Sequence, residues 1–237
     1  MSNSSFSFKQ FTVYHDKCAM KVGTDGVLLG AWAELGHAQN ILDIGTGTGL
    51  ISLMMAQRSE ATITAIDINM DAAQQAQENV AHSKWATRIH IKACSLSEFV
   101  EKNDEKYDVI VCNPPFFNQS LHAPCEARNA ARHATQNFHN DLVILSKKLL
   151  HTHGKMYLIL PVNEGNTLLN FAEQNGFFCT KKVSVFPKPN THAKRLLIEL
   201  SCIENTCATS SITIETELRH EYHPDFIALV KDFYLKL

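Results

Sequence analysis

A chain of 237 residues with 45% hydrophobic and 19% charged residues fits an ordinary globular protein with one large domain. No apolar run reaches the roughly 18–20 residues that span a bilayer, and the start, MSNSSFSFKQF, lacks the apolar core of a signal peptide, so a cytoplasmic location is expected. The net charge of −2 does not advertise nucleic-acid binding, which would work through local patches of Lys and Arg, and seven scattered cysteines with no C-x-x-C pair argue against a disulfide framework or zinc site.

In the lead-in, Phe6, Phe8, Phe11 and Val13 suggest a short strand or hairpin arm. Thr24 or Asp25 is expected to cap a helix over about 26–35, stopped by Gly36. From Asn40 onward strands and helices alternate. Strands are expected over 40–44, 62–66, 88–92, 107–112 and 155–160, with helices over 50–58, 70–82, 95–102, 140–150 and 163–175. Two long strands, 177–186 and 194–202, lie too close in sequence for a helix between them and must form an antiparallel hairpin. A further strand over 212–216 and a closing helix over 224–235 complete the reading. This pattern predicts an α/β fold, doubly wound around a mainly parallel sheet. The division expected is a lead-in, 1–39, packed on a core domain, 40–237.

Two stretches carry chemistry. The first, Ile41–Leu50 (ILDIGTGTGL), is a strand with Asp43 near its end, followed by Gly45, Thr46, Gly47 and Gly49. The G-x-G-x-G spacing meets neither the G-x-G-x-x-G dinucleotide fingerprint nor a Walker A loop. Asp67 ends the next strand, 22 residues after Gly45, where a carboxylate can accept hydrogen bonds from ribose hydroxyls. Together they describe a site for a ribose-bearing cofactor with no pyrophosphate to cradle. The bland alternative is that both aspartates cap helices.

The second stretch, VIVCNPPFF, is a buried strand that the prolines end at Asn113. It sets an amide side chain, a proline carbonyl and an aromatic ring at the carboxyl edge of the sheet, where α/β folds bind ligands. Two acceptors, the Asn113 oxygen and the Pro114 carbonyl, suit the two N–H groups of an exocyclic amine. Phe116 offers a ring for a base to stack on, worth about 1–3 kcal/mol. An ordinary strand-ending Asn-Pro turn is the competing reading.

LDIGTGTGL, AIDIN and VIVCNPPFF together resemble the class I S-adenosylmethionine-dependent methyltransferases of the N-P-P-[FY] group, over about Lys21 to Ser201. The resemblance implies a seven-stranded sheet with an antiparallel last strand and S-adenosylmethionine as cofactor. It places Asp43, Gly45, Thr46, Gly47 and Gly49 around the methionine end and Asp67 with Ile68 at the ribose. Asn113, Pro114, Pro115 and Phe116 become the catalytic turn. Where an acidic residue often holds the cofactor adenine, this chain has Cys94 and Ser95, so Ser95 is the expected substitute. Thr24 is expected to cap its helix with a secondary role at the cofactor.

FKQFTV, MKVGTDGVLLGAWA, ARHATQNFHNDL and FPKPNTHAKRLLIEL are similar to a narrower family. These are the bacterial tRNA adenine-N6-methyltransferases that act on the adenosine beside the anticodon of a valine tRNA. The implied partner is tRNA. Arg128 and Arg132, in the long loop after the turn, and Lys188, Lys194 and Arg195, around the late hairpin, are the expected RNA contacts, with Lys9, Lys17, Lys21, Lys181 and Lys182 adding charge. A guanine-N2 methyltransferase for ribosomal RNA and a protein glutamine-amide methyltransferase are the alternatives. No metal is expected, since the twelve histidines form no ligand set, and no membrane or obligate protein partner is expected either.

Overall fold

The computed structural model describes residues 4–18, 21–116, 125–218 and 221–237, without the side chains of 125–132. The lead-in is a hairpin, β1 (Ser5–Ser7) and β2 (Thr12–Tyr14), then helix α1 (Thr24–Trp32). The alternating part follows as β3 (Asn40–Ile44), α2 (Leu50–Arg58), β4 (Thr62–Asp67), α3 (Met70–Ala81), β5 (Ile89–Ala93), α4 (Leu96–Glu101) and β6 (Tyr107–Cys112). It continues through α5 (Cys125–Leu149), β7 (Leu150–Pro161), α6 (Val162–Gln174), β8 (Phe178–Phe186), β9 (Arg195–Ser201), β10 (Ala208–Thr213) and α7 (Pro224–Val230).

The main sheet has the order β10-β8-β9-β7-β6-β3-β4-β5. Strand β9 runs antiparallel to both its neighbours, and every other pairing is parallel. The seven expected strands are present, and β10 adds an eighth beside β8. It spans 208–213 rather than 212–216, and four of its six residues are exposed. Helix α5 begins at Cys125, fifteen residues before the expected helix, taking in much of what reads as a loop.

Side-chain parity sorts the sheet between two cores, because successive residues of a strand point to opposite faces. Ile41, Val109, Val111, Tyr157 and Ile159 pack on one face with α1, α2, α7 and the lead-in's Phe8, Phe11 and Val13. Leu42, Ile44, Ile110, Cys112, Met156 and Leu158 pack on the other with α4, α5 and α6. A one-residue slip in any central strand would exchange these sets, so burial on both faces fixes the register. Gly30 shows how tightly the first face packs: a Cβ there would meet Met54 Sδ at 2.6 Å, so α1 approaches α2 only without one.

Strand order reverses at β3, which pairs with β4 on one side and β6 on the other. The next connections run outward in opposite directions, so the chain parts beyond Ile44 and Cys112, which are register partners. Gly45 and Asn113 are the first residues past that parting. Such a switch point opens a crevice at the carboxyl ends of the strands. Among the described residues, no helix is long and apolar enough to cross a membrane.

Candidate active site

A cleft of about 430 Å³ occupies this switch point. The ends of β3 and β4 supply Gly45, Gly47, Asp67 and Ile68; the end of β5 supplies Cys94 and Ser95; the turn after β6 supplies Asn113, Pro114 and Pro115. Helix α5 closes the wall with Phe138, Asp141 and Leu145.

The glycine turn is built over Asp43, which is fully buried. Its Oδ2 accepts from Thr46 Oγ1 and Ser52 Oγ, both at 2.7 Å, while Oδ1 is buried with no partner among the described residues. Thr46, itself buried, thus positions Asp43 rather than facing the cleft. Gly45 and Gly47 adopt φ of 70° and 57°, where a side chain is strained, and a Cβ on either would meet nothing within 4 Å. Among the described residues, their backbone therefore opens onto free space. Gly49 serves the packing instead, as the left-handed N-cap of α2, with Ala76 Cβ 3.3 Å from where its own Cβ would lie.

Burial raises the Asp43 carboxyl to about 6, more than its two hydroxyl donors lower it, with the nearby Asp67 pushing it further up. A carboxyl with a raised folded pKa contributes stability below its unfolded pKa and loses it as pH rises through the folded value. Relative to Asp43→Asn, the wild-type protein without cofactor should lose about 2 kcal/mol between about pH 4.5 and about pH 7.5. Denaturant titrations of both proteins at the two pH values measure this; parallel stability curves would remove the charge from the account.

Asp67 bridges two turns. Its Oδ2 accepts from Gly47 N at 2.8 Å and its Oδ1 from Asn69 N at 2.9 Å. Each carboxylate oxygen keeps a second lone pair, so the rim of the cleft retains acceptor capacity. Ile68 beside it is 76% exposed, an apolar surface offered to the cleft. Ser95 lines the cleft, but its hydroxyl serves a capping box: it accepts from Glu98 N and donates to Glu98 Oε2 at 2.9 Å. Thr24 is exposed at the start of α1 and is not among the residues lining the cleft. The N-cap is Gly23, so neither Thr24 nor Asp25 caps the helix.

In the proline turn, Asn113 Oδ1 is buried and has no partner among the described residues. The turn is held from α5, where buried His139 contacts the Pro115 carbonyl through Nε2 at 2.9 Å. A carbonyl only accepts, so Nε2 carries the proton. Burial lowers the pKa of this imidazole, favouring its neutral form. Sequence reading missed His139, and its place in NFHNDL was the only signal. Phe116 lies outside the cleft wall, packed against the second core beneath Arg195. Among the described residues, the aromatic ring on the wall is Phe138.

Three cysteines reach the cleft, and burial raises the pKa of Cys18, Cys94 and Cys112 alike. That disfavours a thiolate nucleophile. Among the expected RNA contacts, Lys188 pairs with Glu215 at 3.4 Å and Arg195 with Asp25 at 2.8 Å, whereas Lys194 is exposed. Lys17 and Lys181 pair with Glu78 and Glu34, and Lys9 donates to the Lys231 carbonyl. Four of the ten expected basic side chains, Lys17, Lys181, Lys188 and Arg195, are thus paired with carboxylates. The side chains of Arg128 and Arg132, positions within α5, lie outside the described residues. Among the described residues no group of three or more His, Cys, Asp or Glu side chains could hold a metal ion.

A doubly wound sheet with a glycine turn, a ribose-spaced aspartate and an Asn-Pro-Pro-Phe turn at one switch point defines a class I methyltransferase architecture. Residues 19–167 match the methyltransferase small domain family. Over the full length of both chains, the protein is 51% identical to the tRNA1(Val) (adenine(37)-N6)-methyltransferase of Parabacteroides distasonis. It is 44% identical to the enzyme of the same name from Trichodesmium erythraeum, again over the whole of both chains. Solved structures agree on the fold. A predicted O-methyltransferase from Agrobacterium tumefaciens superposes with a TM-score of 0.67 at 18% identity, covering 88% of this chain and 96% of that one. The 16S rRNA N2 G1207 methyltransferase of T. thermophilus, in complex with AdoMet and guanosine, gives 0.57 at 17% identity, over 83% of this chain and 50% of that one. The chain belongs to the family of tRNA1(Val) (adenine(37)-N6)-methyltransferases.

Proposed function

We propose that this protein methylates the exocyclic N6 of adenosine 37 in a valine tRNA, the reaction that the names of its relatives state for them, and that it does so beside the anticodon and in the cytoplasm. The observation that carries the chemistry is the buried Asn113 Oδ1 at the cleft, which has no partner among the described residues. A buried acceptor left empty costs about 1–3 kcal/mol, and an N–H of the substrate amine would satisfy it. The cleft suits S-adenosylmethionine: open glycine backbone, an acidic rim at Asp67 and apolar walls at Ile68, Leu96 and Leu145.

When bound, S-adenosylmethionine supplies an electrophilic sulfonium methyl. The work of the protein is placement. Asn113 Oδ1 and the Pro114 carbonyl take the two N–H groups of the amine, which pyramidalises the nitrogen and frees its lone pair for in-line attack. His139 keeps the turn in that geometry through the Pro115 carbonyl. Neither amide oxygen is basic enough to keep the surplus proton, which passes to water. Phe138, on the cleft wall, takes the stacking role expected of Phe116. The target base is already single-stranded in an anticodon loop, so splaying it out is cheap.

The test is methyl transfer to total bacterial tRNA from a strain lacking this enzyme, followed by nucleoside analysis. Label in N6-methyladenosine supports the proposal. Label in N2-methylguanosine would overturn the base, and no transfer to tRNA would overturn the substrate.

A further inference from the structure

Arg195 reads in the sequence as an RNA contact, yet the fold gives it other neighbours. Strand β9 runs against its neighbours, so its first residue, Arg195, lies opposite Pro161, at the carboxyl end of β7. The antiparallel strand thereby delivers its amino end to the edge of the sheet that carries the cleft. There the Arg195 Nε donates to Asp25 Oδ2 at 2.8 Å, and Nη1 donates to the Lys194 carbonyl at 3.1 Å. The guanidinium carbon stands 4.7 Å from the centre of the Phe116 ring. The two paired side chains are only 26% and 23% exposed, so the pair is largely withdrawn from solvent screening. Asp25 comes from the first turn of α1, 170 positions away in the chain.

We propose that Asp25 and Arg195 form a positioning bracket for the catalytic turn, pinning Phe116 while His139 pins Pro115, so that Asn113 is held between the end of β6 and these two fixed points. The guanidinium suits this role because it is planar, stacks on an aromatic face and still donates in its plane to a carboxylate. It also gives the aspartate of the KVGTDG segment a purpose that helix capping does not. The proposal rests on the reading of the Asn113 turn as the transfer site.

The test compares Arg195→Met, Arg195→Lys, Asp25→Asn and the double variant Asp25→Asn/Arg195→Met in tRNA methylation. Cofactor affinity and thermal melting are measured alongside. Displacement of a reacting group by about 1 Å costs about 10²-fold in rate. Arg195→Met should therefore lower kcat by about 10–100-fold, with cofactor affinity and the KM for tRNA within about threefold. Arg195→Lys, which keeps the charge but loses the flat face, should fall between. Because the two residues act as a unit, the double variant should be no worse than Arg195→Met alone.

A raised KM with a shallower salt dependence and unchanged kcat would make Arg195 a phosphate contact and overturn the bracket. Additive losses, or unchanged kinetics, would overturn it equally. If Arg195→Met fails to fold, Asp25→Asn and Arg195→Lys decide by the same split. Failure of the underlying reading shows separately, as wild-type protein that transfers no methyl to adenine N6.

Discussion

Asn113→Ala is expected to lower the rate of methyl transfer by about 10²–10³-fold, the usual effect of removing one preorganised group that acts on the reacting centre. Cofactor affinity should stay within about threefold, because the proposed role of the side chain is toward the substrate amine and its Oδ1 makes no hydrogen bond among the described residues. Single-turnover kinetics together with calorimetric cofactor binding separate the two quantities. The backbone of the turn should survive the change, since His139 holds it through Pro115. A variant that loses cofactor binding in proportion to its rate would move Asn113 from the chemistry to the cofactor.

Asp67→Ala should behave in the opposite sense. The carboxylate fixes Gly47 and Asn69 through their amides, so its removal loosens two loops that face the cleft. It also removes the acceptors available to ribose hydroxyls. Hydrogen bonds to a charged group are worth about 1.5–3 kcal/mol each, so cofactor affinity should drop by about 10²-fold or more. At saturating cofactor, the transfer rate should recover to within a few-fold of wild type. Unchanged affinity would remove Asp67 from the ribose and leave it as a loop brace.

The sheet was legible because its signal is local. Alternation in VIVC and in MYLILP sets each residue on one face, and both faces are buried. The glycine turn and the Asn-Pro-Pro-Phe turn were legible for the same reason, each being a short contiguous stretch beside a strand end. The long front of α5 was less so. CEARNAARHATQNFH has no apolar stripe, and only its alanines, arginines and glutamate favoured a helix. Strand β10 is mostly polar, so nothing in ATSSIT marks a strand until β8 offers its edge. The bracket around Phe116 was invisible, since Asp25, Phe116 and Arg195 are brought together only by the reversed strand. Ion pairs escaped for a like reason: Glu34 and Glu215 neutralise lysines that look unpaired along the chain.

That polar eighth strand bears on how the protein survives at high concentration. Without β10, the edge strand would be β8, nine residues long with buried Val183 and Val185, a ready template for pairing with another chain. Strand β10 replaces it with a shorter edge of Ala208, Thr209, Ser210 and Ser211, all exposed, before Ile212 and Thr213. An edge of small hydroxylated side chains presents little apolar surface to a second molecule. The last strand of the sheet thus works as a guard against self-association, remote from the chemistry at the opposite side of β7.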